Sequence, residues 1–531
     1  MEFDVLLRGA RVVDGTGAGA YPADVALKDG KIAAIDPVVN ANAKMVVNAD
    51  GRYLTPGFID VHRHADAAIL RGACGAAELA QGLTTVIDGN CGLSLAPIAG
   101  AHADESAAYL APILGEIPPE LRFGSLCAYL DAAERAAPPL NHAMLVGMGT
   151  LRTCAAGFAD GDLEGEELRA LHALLERALA DGALGVSLGL GYAPECFYST
   201  EGLIRALEPL RGGSVPLTVH MRQEGESVVD ALREMLHVAR ALRVPLEVSH
   251  LKSIGRVGWR KNVPEMLRLI EAARADGVDV ACDAYPYTAG STQLIHVLPP
   301  EFQRGGLEAL TAALRDKTKR QNIRERMETG RDFENITRLV GFENVVVTAL
   351  RREENLAFEG KTLAELAART GKDPYDALFD LLASERCAPA MIDFISDEED
   401  LRDILRAPFA GVISDATYPA AGLPHPRVYG AFVRLLEKYV RDERMLTIED
   451  AVYKVTGRAA ERFGLKRKGR VAVGADADLC LFDLDRLHEP GTFADPKRLA
   501  QGMDLVLVGG KPAFVNGEMT VNRAGETLRR A

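Results

Sequence analysis

The sequence predicts an α/β fold: a (β/α)8 TIM-like barrel with an inserted lid or subdomain, plus a small β-sandwich built from both chain termini. Three observations predict it. Short apolar runs alternate with amphipathic helical patterns through the middle of the chain, the mark of parallel βα units. Both chain ends are instead rich in short strands and turns. One long stretch, residues 288–410, breaks the rhythm and is too long for a simple connection.

At the N-terminus, residues 5–7 and 11–13 read as strands before a glycine-rich turn. Residues 24–28 and 31–35 flank Asp29-Gly30, a strong hairpin signal. The C-terminus has the same style, with strand runs at 478–482, 505–508 and 513–515 before Asn516-Gly517. These ends, 1–55 and 465–531, are expected to form a composite sandwich around a barrel spanning 56–464. The barrel strands are expected at 58–62, 84–88, 143–147, 185–190, 217–220, 246–250, 278–283 and 411–415. The strongest helix lies between the fifth and sixth, where Val228, Leu232, Met235, Leu236 and Ala239 fall at helical spacing. Within 288–410, residues 373–384 and 397–406 read as helices.

Length and composition agree. A chain of 531 residues accommodates one barrel and an appendage, and 48% hydrophobic content supplies a large core. The net charge of −14, from 75 acidic and 61 basic residues, argues against nucleic acid and anionic membranes as partners. It leaves open an anionic small molecule bound in a locally basic pocket. Met1-Glu2-Phe3-Asp4 has neither the basic nor the apolar segment of a signal peptide, and no apolar run approaches the ~18 residues of a membrane span. Eight scattered cysteines fit reduced thiols and a cytoplasmic location.

The barrel prediction gives the reactive residues a common place, because such barrels carry their sites at the C-terminal strand ends. His62 and His64 stand two apart at the end of the first run, so both can face one cavity. Gly89-Asn90-Cys91-Gly92 ends the second run, and a thiolate there is a soft ligand suited to zinc. His220 and His250 end the fifth and sixth runs, thirty residues apart, about one βαβ repeat. Each residue alone fits a structural role. Recurrence at one level of successive units points to a metal.

Asp415 closes the eighth run, where it can ligate a metal, shuttle a proton, or cap the next segment. Lys252, Tyr285, Tyr287 and Arg427 lie near the same ends and can clamp a substrate carboxylate, or serve as surface charge and core aromatics. Two motifs are decoys. Gly185-Val186-Ser187-Leu188-Gly189 has the pattern of a serine-hydrolase elbow, but Leu190-Gly191-Tyr192-Ala193-Pro194 follows where a helix is required. Gly15-Thr16-Gly17-Ala18-Gly19-Ala20 runs into Tyr21-Pro22 rather than into a helix. His102, His142, His172, His237, His296 and His488 show no constellation, and His425 is read as shaping the loop of Arg427.

Pro56-Gly57-Phe58-Ile59-Asp60-Val61-His62 with His64 resembles the first barrel strand of the amidohydrolase superfamily. Gln81-Gly82-Leu83-Thr84-Thr85-Val86, Gly89-Asn90-Cys91-Gly92, His220-Met221-Arg222-Gln223-Glu224-Gly225 and Ser249-His250-Leu251-Lys252 resemble its N-acyl-D-amino-acid deacylases (D-aminoacylases). So do the segment from Asp283 to Thr292 and His425-Pro426-Arg427-Val428-Tyr429-Gly430. The resemblance implies a tight zinc on Cys91, His220 and His250 and a weaker second position at His62, His64 and Asp415. It also implies Asp415 as the catalytic acid–base and Lys252, Tyr285 and Arg427 near the substrate carboxylate. Two departures stand out: Ala416-Thr417-Tyr418 after Asp415, where relatives have glycine, and Met148, where relatives often have histidine.

The expected activity is zinc-assisted hydrolysis of the amide bond of an N-acyl-D-amino acid to a carboxylate and a free D-amino acid. The alternatives are a dipeptidase acting on L-D dipeptides and a cyclic-amide hydrolase of the same superfamily. Hydantoinase-like relatives use a modified lysine on the fourth strand, and this fourth strand has none. A non-catalytic barrel and a serine hydrolase are rivals from other classes. Side-chain preference is expected to be set by residues 293–298 and the insertion.

Overall fold

The computed structural model describes residues 2–419 and 421–530. Eight strands run through its middle: β1 (Phe58–Asp60), β2 (Leu83–Asp88), β3 (Asn141–Gly147), β4 (Gly185–Gly189), β5 (Leu217–His220), β6 (Leu246–Val248), β7 (Val280–Ala284) and β8 (Ala410–Val412). They are hydrogen-bonded in chain order, and each pair is parallel. All of their residues are buried, as expected for strands with helices outside and packed side chains within. The barrel closes through a short parallel bridge of Arg63–His64 with Ala416–Thr417. The Asp415 amide also donates to the His62 carbonyl at 2.9 Å. All eight predicted strands are therefore present, and the helix Val228–Leu242 buries Val228, Leu232, Met235, Leu236 and Ala239.

The segment between β7 and β8 differs from its predicted character. It contains a three-stranded antiparallel sheet in which Ala390–Phe394 is central, flanked by Ala289–Gln293 and Val345–Thr348. This sheet and its helices bury a separate core that includes Leu294, Leu314, Leu378, Phe379 and Met391. The helix Pro374–Ser384 belongs to that core and is capped by Asp373. The helix Glu398–Arg406 does not. Its Leu401, Ile404 and Leu405 join the barrel core, so it is the barrel's own helix before β8 rather than part of an insertion reaching to 410.

The chain ends interleave in one continuous nine-stranded sheet rather than two separate ones. The order runs from Glu518–Met519 through Lys511–Val515, Met503–Val508, Leu479–Phe482, Tyr53–Pro56, Phe3–Val12 and Tyr21–Lys28 to Lys31–Asp36, with Ala43–Asn48 also paired to Phe3–Val12. Leu7, Val25, Leu54, Leu481 and Leu507 form its own apolar core. Alternate residues, Cys480, Phe482, Val506 and Phe514, face the barrel core. The last residues leave the sheet: the Glu526 carbonyl accepts from the His142 amide at 2.9 Å, and the Leu528 amide donates back to the His142 carbonyl at 2.7 Å. No helix among the described residues is long and apolar enough to cross a membrane.

Candidate active site

Strand ends deliver Cys91, His220, His250, His62, His64 and Asp415 to one cavity mouth, and Cys91, His250 and Asp415 all sit in left-handed backbone conformations, φ +54°, +36° and +51°. Such conformations are costly for non-glycine residues and persist where surrounding bonds impose them. At Cys91 those bonds come from Ser187 of β4. Its hydroxyl accepts from the Gly92 amide at 3.0 Å and donates to the Gly89 carbonyl at 2.6 Å. The serine of the rejected elbow thus holds the cysteine turn. Gly92 is itself left-handed, and a Cβ there would stand 1.8 Å from Glu195 Oε2. At His250 the backbone amide is held by Asp283 Oδ1 at 2.5 Å. At Asp415 the preceding Ser414 amide donates to Asp60 at 3.1 Å, tying the eighth strand to the first.

The side chains converge. Cys91 Sγ lies 3.5 Å from His250 Nε2, and His220 Nδ1 lies 3.1 Å from the same nitrogen. Cys91 Sγ is also 3.2 Å from His62 Nε2. His62 Nε2 and His64 Nε2 each stand 3.4 Å from Asp415 Oδ1. Three overlapping ligand sets result: Cys91 with His220 and His250; His62 with His64 and Cys91; His62 with His250 and Asp415. His62, Cys91 and His250 are each shared between two sets, so the structure brings together all six residues without dividing them into two triads.

The donor set fits a cation. Ligands at 2.0–2.3 Å around a tetrahedral ion are separated by roughly 3.3–3.7 Å, close to the spacings found here. Burial drives His62, His220 and His250 well below the ordinary histidine range, which leaves neutral imidazoles of the kind metals bind. Burial, reinforced by Asp415 and Glu224, pushes the Cys91 thiol up, so a nearby cation is what would ionise it. His62 Nδ1, His64 Nδ1 and His220 Nε2 are buried without hydrogen-bond partners among the described residues.

Asp415 is anionic. Burial would raise its pKa, but Arg427, with Nη1 2.8 Å from Oδ2, and the neighbouring His64 and His62 hold it well below the carboxylate range. His425, read from sequence as shaping a loop, accepts the Arg427 amide at 2.9 Å and so fixes the start of that arginine's helix. The Arg427 guanidinium lies 4.7 Å over the Tyr285 ring. Lys252 Nζ pairs with Glu224 at 2.5 Å and with His250 Nδ1 at 3.1 Å. Tyr287 stands apart from this group, bonded to Glu489 at 3.2 Å.

Three residues enter the site without having been singled out. Glu224 lies 3.0 Å from His250 Nδ1 and 3.7 Å from His220 Nε2, behind both imidazoles. Its signal was the carboxylate four residues after His220. His296, read as having no constellation, lines the cavity, packs on Tyr192 and bonds Glu334 at 3.0 Å. Asp393 comes from the unpredicted sheet and also lines the cavity. His142 likewise has partners, Asp88 at 3.2 Å and Tyr129 at 3.4 Å, but away from the cavity lining. Of residues 293–298, Gln293 is turned to the Tyr109 carbonyl, and only His296 reaches the cavity.

A closed parallel barrel with histidine, cysteine and carboxylate ligands at its strand ends defines a metal-dependent barrel hydrolase. The chain belongs to the amidohydrolase family, whose sequence model matches residues 45–514, and within it to the N-acyl-D-amino-acid deacylases. It is 34% identical to the D-aminoacylase of Alcaligenes xylosoxydans xylosoxydans, over 99% of this chain and 98% of that one. A crystal structure of an N-acyl-D-glutamate deacylase from Bordetella bronchiseptica, complexed with zinc and a phosphonate mimic of the tetrahedral intermediate, superposes with TM-score 0.84. It is 32% identical and covers all of both chains. A D-aminoacylase structure addressing a binuclear centre, with one-metal activation and second-metal attenuation, also has TM-score 0.84, at 33% identity over 99% of this chain and all of that one.

Proposed function

We propose that this protein hydrolyses the amide bond of N-acyl-D-amino acids, releasing a carboxylate and a free D-amino acid, with zinc as its metal. The observation that carries the reading is the convergence of neutral imidazoles, a thiol and an ionised carboxylate at one buried cavity, with Lys252 in its lining and Arg427 paired to Asp415. Cys91, His220 and His250 would hold the tighter zinc; His62, His64 and Asp415 would border a second, weaker position. When bound, zinc polarises the amide carbonyl and acidifies water.

Asp415, anionic and at the cavity mouth, accepts the proton from the attacking water. It returns that proton to the amide nitrogen as the C–N bond breaks, so the amine leaves neutral. Arg427 keeps Asp415 ionised between these transfers. Lys252, Tyr285 and Arg427 form the face that receives the substrate α-carboxylate. Lys252 remains charged there: burial opposes its charge, but Glu224 raises it above the ordinary lysine range. Glu224 orients His250 as a carboxylate behind a ligand. Preference for the D configuration is supported by the relatives' activities.

The Asp415→Asn variant tests the proton-transfer role. Turnover of an N-acetyl-D-amino acid is expected to fall by about 10²–10⁴-fold with bound zinc, measured by elemental analysis, unchanged. Wild-type turnover in that variant removes Asp415 from the reaction.

A further inference from the structure

The cavity lining includes two carboxylates that the proposed reaction does not use, Glu334 and Asp393. Asp393 lies on the central strand of the inserted sheet, is 3% exposed, and lines the cavity. Among the described residues no side chain or backbone group donates a hydrogen bond to it, and no cation pairs with it. Its place beside the α-carboxylate face is fixed by Gly290. A Cβ there would stand 2.9 Å from Asp393 Oδ1 and 3.2 Å from the Tyr285 hydroxyl, so the missing side chain makes room for the carboxylate.

The surroundings say what could neutralise it. Among the described residues that line the cavity Lys252 is the only lysine or arginine, and it already has an anionic partner in Glu224; Arg427, buried against Tyr285, is paired with Asp415. A second carboxylate, Glu334, is occupied by His296 and by the Glu224 amide at 2.6 Å. Much of the remaining wall is aliphatic, with Ile254, Ile336, Ile395, Leu93 and Ile113 beside the hydroxyls of Ser291, Thr292 and Thr417. An acidic substrate side chain would meet no free cation here, and a carboxylate in its path. An aliphatic stem ending in a cation has apolar wall along its length and Asp393 at its end.

Resting on the deacylase reading above, we propose that Asp393 is a specificity-determining residue that selects N-acyl-D-amino acids with a cationic side chain, of the D-lysine or D-arginine type. The substrate cation also relieves a conflict. The α-carboxylate bound at Lys252, Tyr285 and Arg427 would otherwise lie beside a like charge. Burial pushes Asp393 up to about 6 even with Lys252 nearby, in keeping with a carboxylate that lacks a close counter-ion.

The test compares N-acetyl-D-lysine with its uncharged isostere N-acetyl-D-norleucine and with N-acetyl-D-glutamate, in the zinc-loaded wild type and in D393N. The wild type is expected to prefer lysine over norleucine by about tenfold to a hundredfold in kcat/KM, with glutamate slowest. In D393N the lysine-to-norleucine ratio falls toward one. If the variant does not fold, product inhibition of the wild type serves: free D-lysine should inhibit at least tenfold more strongly than D-norleucine. Equal use of lysine and norleucine by the wild type, or an unchanged ratio in D393N, overturns the role of Asp393 and leaves the deacylase reading standing. Failure to cleave any N-acyl-D-amino acid overturns both.

Discussion

Glu195 illustrates how single residues support this site without touching substrate. It sits under the cysteine turn, its Oε2 accepting the Gly189 amide at 3.1 Å, and burial lifts its pKa to about 8. The folded state therefore keeps a proton on Glu195 that the unfolded chain releases near pH 4.3. Its stabilising contribution is full below about pH 4.3 and is lost as pH rises through about 8. Denaturant unfolding at pH 5 and pH 8.5 should show the wild type losing up to a few kcal/mol across that window. Glu195→Gln, which keeps the neutral form, should lose less; equal losses contradict a proton held by Glu195. At this scale the sequence was legible for residues whose chemistry is rare, a cysteine or histidine at a strand end. Asp393 and Glu195 are not, because carboxylates are common and only burial distinguishes these from the solvated ones, and Glu224 shows only in its spacing after His220.

At the level of elements, the turns after strands decide the geometry. Gly92 is the sharpest case, with φ +72° and no room for a Cβ. Gly92→Ala should displace the Cys91 loop. It is expected to cost about 1–3 kcal/mol and to lower zinc occupancy by at least tenfold in a competition titration against a chromophoric chelator. Unchanged zinc affinity would show that the turn does not position Cys91. The eight barrel strands could be found from sequence because each is a short buried run followed by a turn. The inserted sheet could not. Its first strand, Ala289–Gln293, reads AGSTQ, poor in β-branched apolar residues, and its pairing is set by Ala390–Phe394 about a hundred residues away. The helix Glu398–Arg406 is legible as a helix, but its side chains, not its position in the chain, decide that it packs on the barrel.

Over the whole molecule, a rigid barrel supplies the ligands while the insertion contributes Ser291, Thr292, His296, Glu334 and Asp393 to the cavity lining. Ligands from strand ends are held by the barrel's hydrogen bonds, so the reaction chemistry is fixed by the fold. The insertion has its own core and can vary without disturbing them. A net charge of −14 does not decide what the cavity binds: Lys252 stands in its lining, with Arg427 behind it over the Tyr285 ring. Metal-dependent hydrolysis of N-acyl-D-amino acids in this cavity is the reaction on which every residue role depends. It is tested most directly by assaying matched D and L pairs of N-acetyl amino acids with the purified protein, after chelation, and after zinc is restored. Cleavage of D-isomers only is expected, lost on chelation and recovered with about one zinc per chain. Cleavage confined to L-isomers, or D-isomer cleavage that survives complete metal removal, would contradict it.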